Sequence, residues 1–333
     1  MSAGAAILAT DVVVRYAGSD RNAVDGVSLD VAPGELIVLL GPSGCGKSTF
    51  MRTINRLVVP DGGAIAIDGV DVASTPSPET LRRGIGYVIQ AVGLFPHLTV
   101  AQNIGVVPQL LGWKRERVAQ RVDELLNLVR LEASRYRDRL PRELSGGEQQ
   151  RVGVARAIAA EPRTLLMDEP FGAVDAIVRI ALQDETLRIH RALGTTILFV
   201  THDVDEALRI ADRIVILREG RVEQAGSPLH MLAYPATPYV RALLDADDTV
   251  RRLQLLTAGD ALARRNGSPG VPSQPDASAS GAAIAASASL REALSQLLAG
   301  AQTVRVMDGE ATLGTLGFDD VRAAIARDAT ASQ

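Results

Sequence analysis

The sequence predicts an α/β fold built on a parallel sheet, with a phosphate-binding loop at the end of one strand. Three observations predict it. Short, almost wholly apolar runs at Leu36–Leu40, Thr164–Met167 and Thr196–Val200 have the length and composition of strands buried on both faces. Segments of helical period separate them, the alternation that gives βαβ units. The run Gly41-Pro42-Ser43-Gly44-Cys45-Gly46-Lys47-Ser48-Thr49 follows the first strand directly, with the G-x-x-x-x-G-K-[ST] spacing of a P-loop.

Taken in order, residues 5–16 alternate and close on Val12-Val13-Val14-Arg15-Tyr16, a strand pattern. A helix is expected from Lys47, a hairpin strand over 65–72 and another strand over Gly84–Gln90. The pattern from about 98 to 160 is helical and reads as an insertion in the sheet. Ile214–Leu217 followed by Glu219-Gly220-Arg221 reads as a hairpin. Arg264–Ser289, rich in Ala, Ser, Gly and Pro, reads as a linker. Leu290–Leu298 and Phe318–Arg327 are expected helices, and Thr303–Met307 and Ala311–Leu316 are expected strands around an Asp308-Gly309 turn. The expected organisation is a nucleotide-binding domain over 1–245, with a helical subdomain over about 91–160. A linker over 246–289 and a small α+β module over 290–328 follow.

Composition narrows the function. The net charge of −4 gives no basic field, which argues against nucleic acid as a partner. Cys45 is the one cysteine, so no disulfide framework exists and a reducing compartment is expected. No apolar run reaches the roughly 18 residues that span a bilayer, and Met1–Thr10 lacks the basic and apolar regions of a secretory signal. Any membrane-spanning part is therefore expected on another chain. Of 35 basic residues only Lys47 and Lys114 are lysines. One of them holds the P-loop position, where the planar fork of Arg does not replace a compact ammonium.

Three motifs carry chemistry. In the P-loop, Gly41, Gly44 and Gly46 let backbone N–H groups turn toward phosphate oxygens, and the helix from Lys47 adds its positive end. Lys47 is expected on the β- and γ-phosphates and Ser48 on Mg²⁺. Thr164-Leu165-Leu166-Met167-Asp168-Glu169 delivers two carboxylates to the carboxyl edge of the sheet, where open α/β folds bind ligands. Asp168 is expected to hold Mg²⁺ and Glu169 to act as general base toward the attacking water. Leu144-Ser145-Gly146-Gly147-Glu148-Gln149-Gln150-Arg151 opens a long helix with a Ser N-cap, a second anion-binding terminus.

With these residues in place the chain resembles the ATP-binding subunit of an ABC transporter over residues 5–245. Leu144–Glu148 matches the family signature between the P-loop and the carboxylate pair. Tyr16 resembles the aromatic that stacks on adenine, and Gln90 the Q-loop glutamine at the metal and attacking water. Asp175, in Ala173-Val174-Asp175, resembles the D-loop aspartate, and His202 the switch histidine that contacts the γ-phosphate. The resemblance implies ATP and Mg²⁺ as cofactors. It implies a head-to-tail dimer in which Ser145, Gly146 and Gly147 of one copy complete the P-loop site of the other. It also implies transmembrane permease subunits, indirectly a solute-binding protein, and a peripheral place on the cytoplasmic face of the membrane.

Gly86-Tyr87-Val88-Ile89-Gln90, Gly93-Leu94-Phe95-Pro96-His97, Arg151–Ala157 and the Leu253–Leu262 stretch are similar to importer subunits for quaternary-amine osmoprotectants such as glycine betaine, choline and carnitine. Ser289–Ala326 resembles a single CBS module, a type of tail found in that subgroup. Asp320 fits its ribose-binding acid, whereas Gly317 stands where Thr or Ser is usual. Sensing of ionic strength or nucleotide and simple dimerisation both remain open for this module. Other importer classes (amino acid or sulfonate), an exporter subunit and a soluble ABC ATPase of translation or repair are the alternatives. The single P-loop and the short Gln90–Ser145 interval weigh against the last.

Overall fold

The computed structural model describes residues 4–89, 93–172, 176–246, 248–266 and 282–330. The chain divides into two compact units, Met1–Ala225 and Gly226–Gln333.

The first unit opens with β1 (Ile7–Val14), whose Ile7, Ala9, Val12 and Val14 are buried. It pairs antiparallel with β2 (Val24–Val31), which the sequence reading does not anticipate. Its Asp25-Gly26 pair reads as a turn. In the fold Gly26 takes φ 69 opposite an irregular stretch of β1, and Val24, Val27, Leu29 and Val31 still face inward. β3 (Leu36–Leu40) is buried along its whole length and leads through the P-loop into α1 (Lys47–Ile54). β4 (Gly62–Ile67) and β5 (Val70–Asp71) complete a four-stranded sheet in the order β2-β1-β4-β5, antiparallel throughout. The parallel sheet expected from the sequence is thus accompanied by a separate antiparallel one. Its inner residues, such as Ile7, Val27 and Ile65, share a core with Ile37 and Leu39 of β3 and Phe50, Met51 and Ile54 of α1.

The chain continues through α2 (Pro78–Arg83) and β6 (Ile85–Val88) into the helical subdomain. This comprises α3 (Val100–Leu110), α4 (Arg115–Leu128), α5 (Ala133–Tyr136) and α6 (Gly146–Ile158), with α3 packed on α4 and α6. Then come β7 (Thr164–Asp168), α7 (Ala176–Leu193), β8 (Thr196–Thr201) and α8 (Val204–Ile210). The hairpin of β9 (Arg213–Arg218) and β10 (Arg221–Gly226) closes the sheet. Its Glu219 and Gly220 both have positive φ, the geometry that matches the strand twist in a two-residue turn.

These strands form a six-stranded sheet in the order β10-β9-β3-β8-β7-β6, in which β9, β3, β8, β7 and β6 run parallel. The order decides where the chemistry lies. Leu40 is level with Thr201, and Val200 is level with Asp168. The P-loop, His202 and the acidic pair therefore leave three adjacent strands at one carboxyl edge, as the ligand rule for open sheets requires.

In the second unit, α9 (Pro228–Ala233), α10 (Pro238–Leu244), α11 (Thr249–Leu255) and α12 (Ala258–Asn266) precede a three-stranded sheet. Its strands are β11 (Ala283–Ala285), β12 (Val304–Asp308) and β13 (Ala311–Leu316), flanked by α13 (Leu290–Leu298) and α14 (Phe318–Thr330). Residues 246–289 are thus more than a connector. Leu253, Leu256, Ala261 and Leu262 join Ile284, Leu290, Leu297, Val304, Val306 and Leu316 in one core. The middle of the expected linker, 267–281, lies outside the described residues.

Candidate functional site

The P-loop is held by close backbone approach. A Cβ on Gly41 would meet the Leu217 carbonyl at 2.2 Å, and one on Gly46 the Ala23 carbonyl at 2.2 Å. Gly46 has φ 107 and Gly44 φ 79. Residues in this region turn successive N–H groups into an anion-binding concavity. Lys47 is 4% exposed. Its ammonium donates to the carbonyls of Gly41 at 2.7 Å and Pro42 at 2.9 Å and reaches the Cys45 Sγ at 3.7 Å. The charge is thus stored on the loop's own carbonyls.

Ser48 Oγ donates to Asp168 Oδ1 at 2.6 Å. The two expected metal ligands, 120 residues apart, therefore meet. Asp168 is 3% exposed, and its other oxygen accepts from Arg52 Nη2 at 3.2 Å and from the Tyr87 hydroxyl at 3.5 Å. The hydrogen bond to Tyr87 and the charge of Asp168 hold the Arg52 guanidinium above its ordinary pKa, and burial pushes the Tyr87 phenol up. Neither residue was singled out from the sequence. The signal for Arg52 is its place four residues after Ser48, one helical turn along the same face. Tyr87 has no comparable local signal, because it reaches Asp168 only through the pairing of β6 with β7.

Glu169 follows directly, at φ 44, with its N–H on the Val200 carbonyl at 3.0 Å. Its Oε2 lies 3.3 Å from His202 Nδ1, so the expected base and switch residue are in contact. Tyr16 is 48% exposed, with its hydroxyl 3.3 Å from Thr49 Oγ1. An exposed ring at the end of β1 is thereby tethered beside the P-loop. Gln90 and Asp175 lie outside the described residues.

The Ser145-Gly146-Gly147 turn stands apart. Among the described residues no hydrogen bond joins it to residues 41–49. Ser145 instead forms a capping box, with its Oγ accepting from the Glu148 N–H and its own N–H donating to Glu148 Oε2 at 2.7 Å. Tyr136 donates to the other Glu148 oxygen at 2.7 Å. That bond, then the Ser145 amide, lowers the pKa of Glu148. The carboxylate stays ionised and keeps the helix start in shape.

Behind His202, α8 carries Glu206, 4% exposed, which accepts from Gln183 Nε2 of α7 at 3.1 Å. Burial raises its pKa above the ordinary 4.5. The fold therefore favours the protonated form. Its stabilisation is complete below the unfolded-chain value and is lost as pH rises through the raised one. Glu206→Gln, neutral at every pH, is expected to raise the thermal midpoint above neutrality by about 2–4 °C, the shift that ~1 kcal/mol gives a domain of this size. It should have little effect well below 4.5. A midpoint gain that is the same at both pH values would show that burial of the charge is not the cause.

The geometry defines a nucleotide-binding cassette, and comparison with known proteins agrees. The family model described as ABC transporter matches residues 24–172. The glycine betaine uptake system ATP-binding protein YehX of Escherichia coli is 48% identical over 304 residues, covering 90% of this chain and 94% of that protein. The chain therefore belongs to the ABC transporter family of ATP-binding proteins. The osmoprotectant import ATP-binding protein OsmV of Salmonella typhimurium is 50% identical over 75% of this chain. The glycine betaine/carnitine/choline transport ATP-binding protein OpuCA of Bacillus subtilis is 52% identical over 69% of it. The chain spans 65% and 60% of the length of those two relatives. Among solved structures, a dimeric post-hydrolysis ATP-binding cassette bound to ADP and Pi superposes with TM-score 0.60. It is 31% identical and covers 67% of this chain and 98% of its own.

Proposed function

We propose that this chain is the ATP-hydrolysing subunit of an importer for quaternary-amine osmoprotectants. One observation carries the ATPase half of that reading. Lys47, Ser48, Asp168, Glu169 and His202 converge at one sheet edge. As the family resemblance implies, the Ser145–Gly147 turn of a second copy completes this site. The dimeric ATP-binding cassette with ADP and Pi supports that assembly. ATP then links two copies and hydrolysis releases them.

Ser48 and Asp168 suit Mg²⁺. They are hard oxygen donors already in contact, and Mg²⁺ is held by one or two carboxylates together with substrate phosphates. The phosphates of a bound nucleotide would complete its shell. A bound ion would neutralise charge on the phosphates. Glu169 would accept a proton from the attacking water, His202 would orient the terminal phosphate, and Tyr16 would stack on adenine. Gln90 would reach the metal and water, and Asp175 would meet the partner's site.

The solute class rests on the relatives, whose names carry osmoprotectant, glycine betaine, choline and carnitine. Among the described residues no helix is long and apolar enough to cross a membrane. The import and uptake ATP-binding relatives support a peripheral subunit at the cytoplasmic face, bound to separate permease subunits that receive solute from a binding protein. The order strand, helix, strand, strand, helix from β11 to α14 supports a CBS-like module, for which sensing and dimerisation are the two readings. A second reading draws on the sulfate/thiosulfate and spermidine/putrescine import relatives, 46% and 43% identical.

The complex with its membrane subunits and solute-binding protein, reconstituted in vesicles, tests both. Glycine betaine, choline or carnitine should stimulate ATP hydrolysis severalfold. Stimulation by sulfate or a polyamine instead would replace the solute assignment and leave the ATPase assignment standing.

A further inference from the structure

The Asp168 carboxylate is gripped from two sides. Oδ1 takes the proton of Ser48 at 2.6 Å, and Oδ2 takes donors from Arg52 at 3.2 Å and Tyr87 at 3.5 Å. The three donors come from two elements. Ser48 and Arg52 lie one turn apart on α1, and Tyr87 lies on β6, which pairs with β7, the strand that ends at Asp168. The last torsion of an aspartate is broad and nearly two-fold, so a carboxylate tied at one oxygen can still swing. Two donors on Oδ2 remove that freedom.

We propose that Arg52 and Tyr87 are positioning residues for the Mg²⁺ site, holding Asp168 by Oδ2 so that Oδ1 is the oxygen offered, with Ser48, to the ion. The inference rests on the proposed reading of Ser48 and Asp168 as metal ligands. Two effects of Arg52 oppose each other. Its cation repels an incoming ion, and its hydrogen bond orients the ligand that receives it. The Arg52 side chain is 46% exposed, so solvent screens the repulsion. The hydrogen bond lands on an oxygen of a 3% exposed residue, where orientation cannot be replaced by water. Orientation therefore wins, and removal of Arg52 weakens metal binding. Loss of a partner that orients a metal ligand typically lowers metal affinity 10–100-fold.

The test measures metal directly. Mn²⁺, read by its electron paramagnetic resonance, is titrated into the full-length chain saturated with a non-hydrolysable ATP analogue. A fluorescent ATP analogue in EDTA reports nucleotide binding without metal. Arg52→Ala should weaken Mn²⁺ about tenfold or more, and Tyr87→Phe, which removes the longer bond, by a smaller but measurable factor. Both should keep their nucleotide affinity in EDTA within twofold. Unchanged or tighter Mn²⁺ binding in both variants overturns the proposal, the tighter result marking Arg52 as a competitor of the ion. Equal losses of nucleotide affinity with and without metal overturn it too, since they place Arg52 and Tyr87 in the general fold of the loop. Wild-type chain that binds nucleotide without any gain from Mn²⁺ refutes instead the reading of Ser48 and Asp168 as metal ligands.

Discussion

Lys47→Ala is expected to lower ATP affinity by about a hundredfold or more. Lys47 is 4% exposed, and its ammonium donates to two carbonyls of its own loop. On the proposed reading those donors pass to phosphate oxygens when nucleotide binds, so a buried cation gains charge-assisted bonds without first being stripped of water. Hydrogen bonds to charged groups contribute about 1.5–3 kcal/mol each, and two of them account for the expected loss. Truncation also leaves the Gly41 and Pro42 carbonyls without their donor in the nucleotide-free protein, which costs stability. Lys47→Arg should fail to rescue binding, because the planar guanidinium needs space that the packed loop lacks. Equilibrium binding of a fluorescent ATP analogue decides the matter. Wild-type affinity in the alanine variant would remove the P-loop from the function.

Glu169→Gln should retain ATP and lose turnover. The glutamine keeps the shape of the side chain and the backbone turn at φ 44, so the fold and the nucleotide site survive. What disappears is the carboxylate beside His202, the proposed proton acceptor. General-base catalysis contributes about 10²–10⁴-fold, and steady-state hydrolysis should fall by that factor. Two copies that bind ATP but do not cleave it should stay joined. Size-exclusion chromatography with ATP and Mg²⁺ should then show a dimer for the variant and mainly monomer for the wild type. Normal turnover in Glu169→Gln would mean that another group takes the proton.

These two residues were legible in the sequence because their signals are local. Lys47 belongs to a fixed spacing of glycines, and Glu169 follows a buried strand of five residues. The same holds for Ser145, whose capping box is written in four consecutive positions. β2 was missed for an equally local reason, since Asp25-Gly26 imitates a turn and only the partner strand β1 shows that the glycine is a bulge. The helices over 249–266 were missed because the Ala-, Ser- and Gly-rich stretch after them masks their few apolar residues. Leu253, Leu256 and Leu262 take on meaning only against the sheet they help to cover.

The sequence by itself determined the class of fold, the phosphate loop, the acidic pair, the signature turn and the kind of ligand they serve. Each is a short string whose chemistry depends on near neighbours. Only the tertiary structure decided which strings meet. Strand order placed Asp168 against Ser48 across 120 residues, set Glu169 on His202, and brought Arg52 and Tyr87 to the far oxygen of Asp168. Contacts of that kind follow from the register of β3, β8, β7 and β6. Register is fixed by the burial of whole strands in one sheet, a collective property that no single segment of the chain encodes.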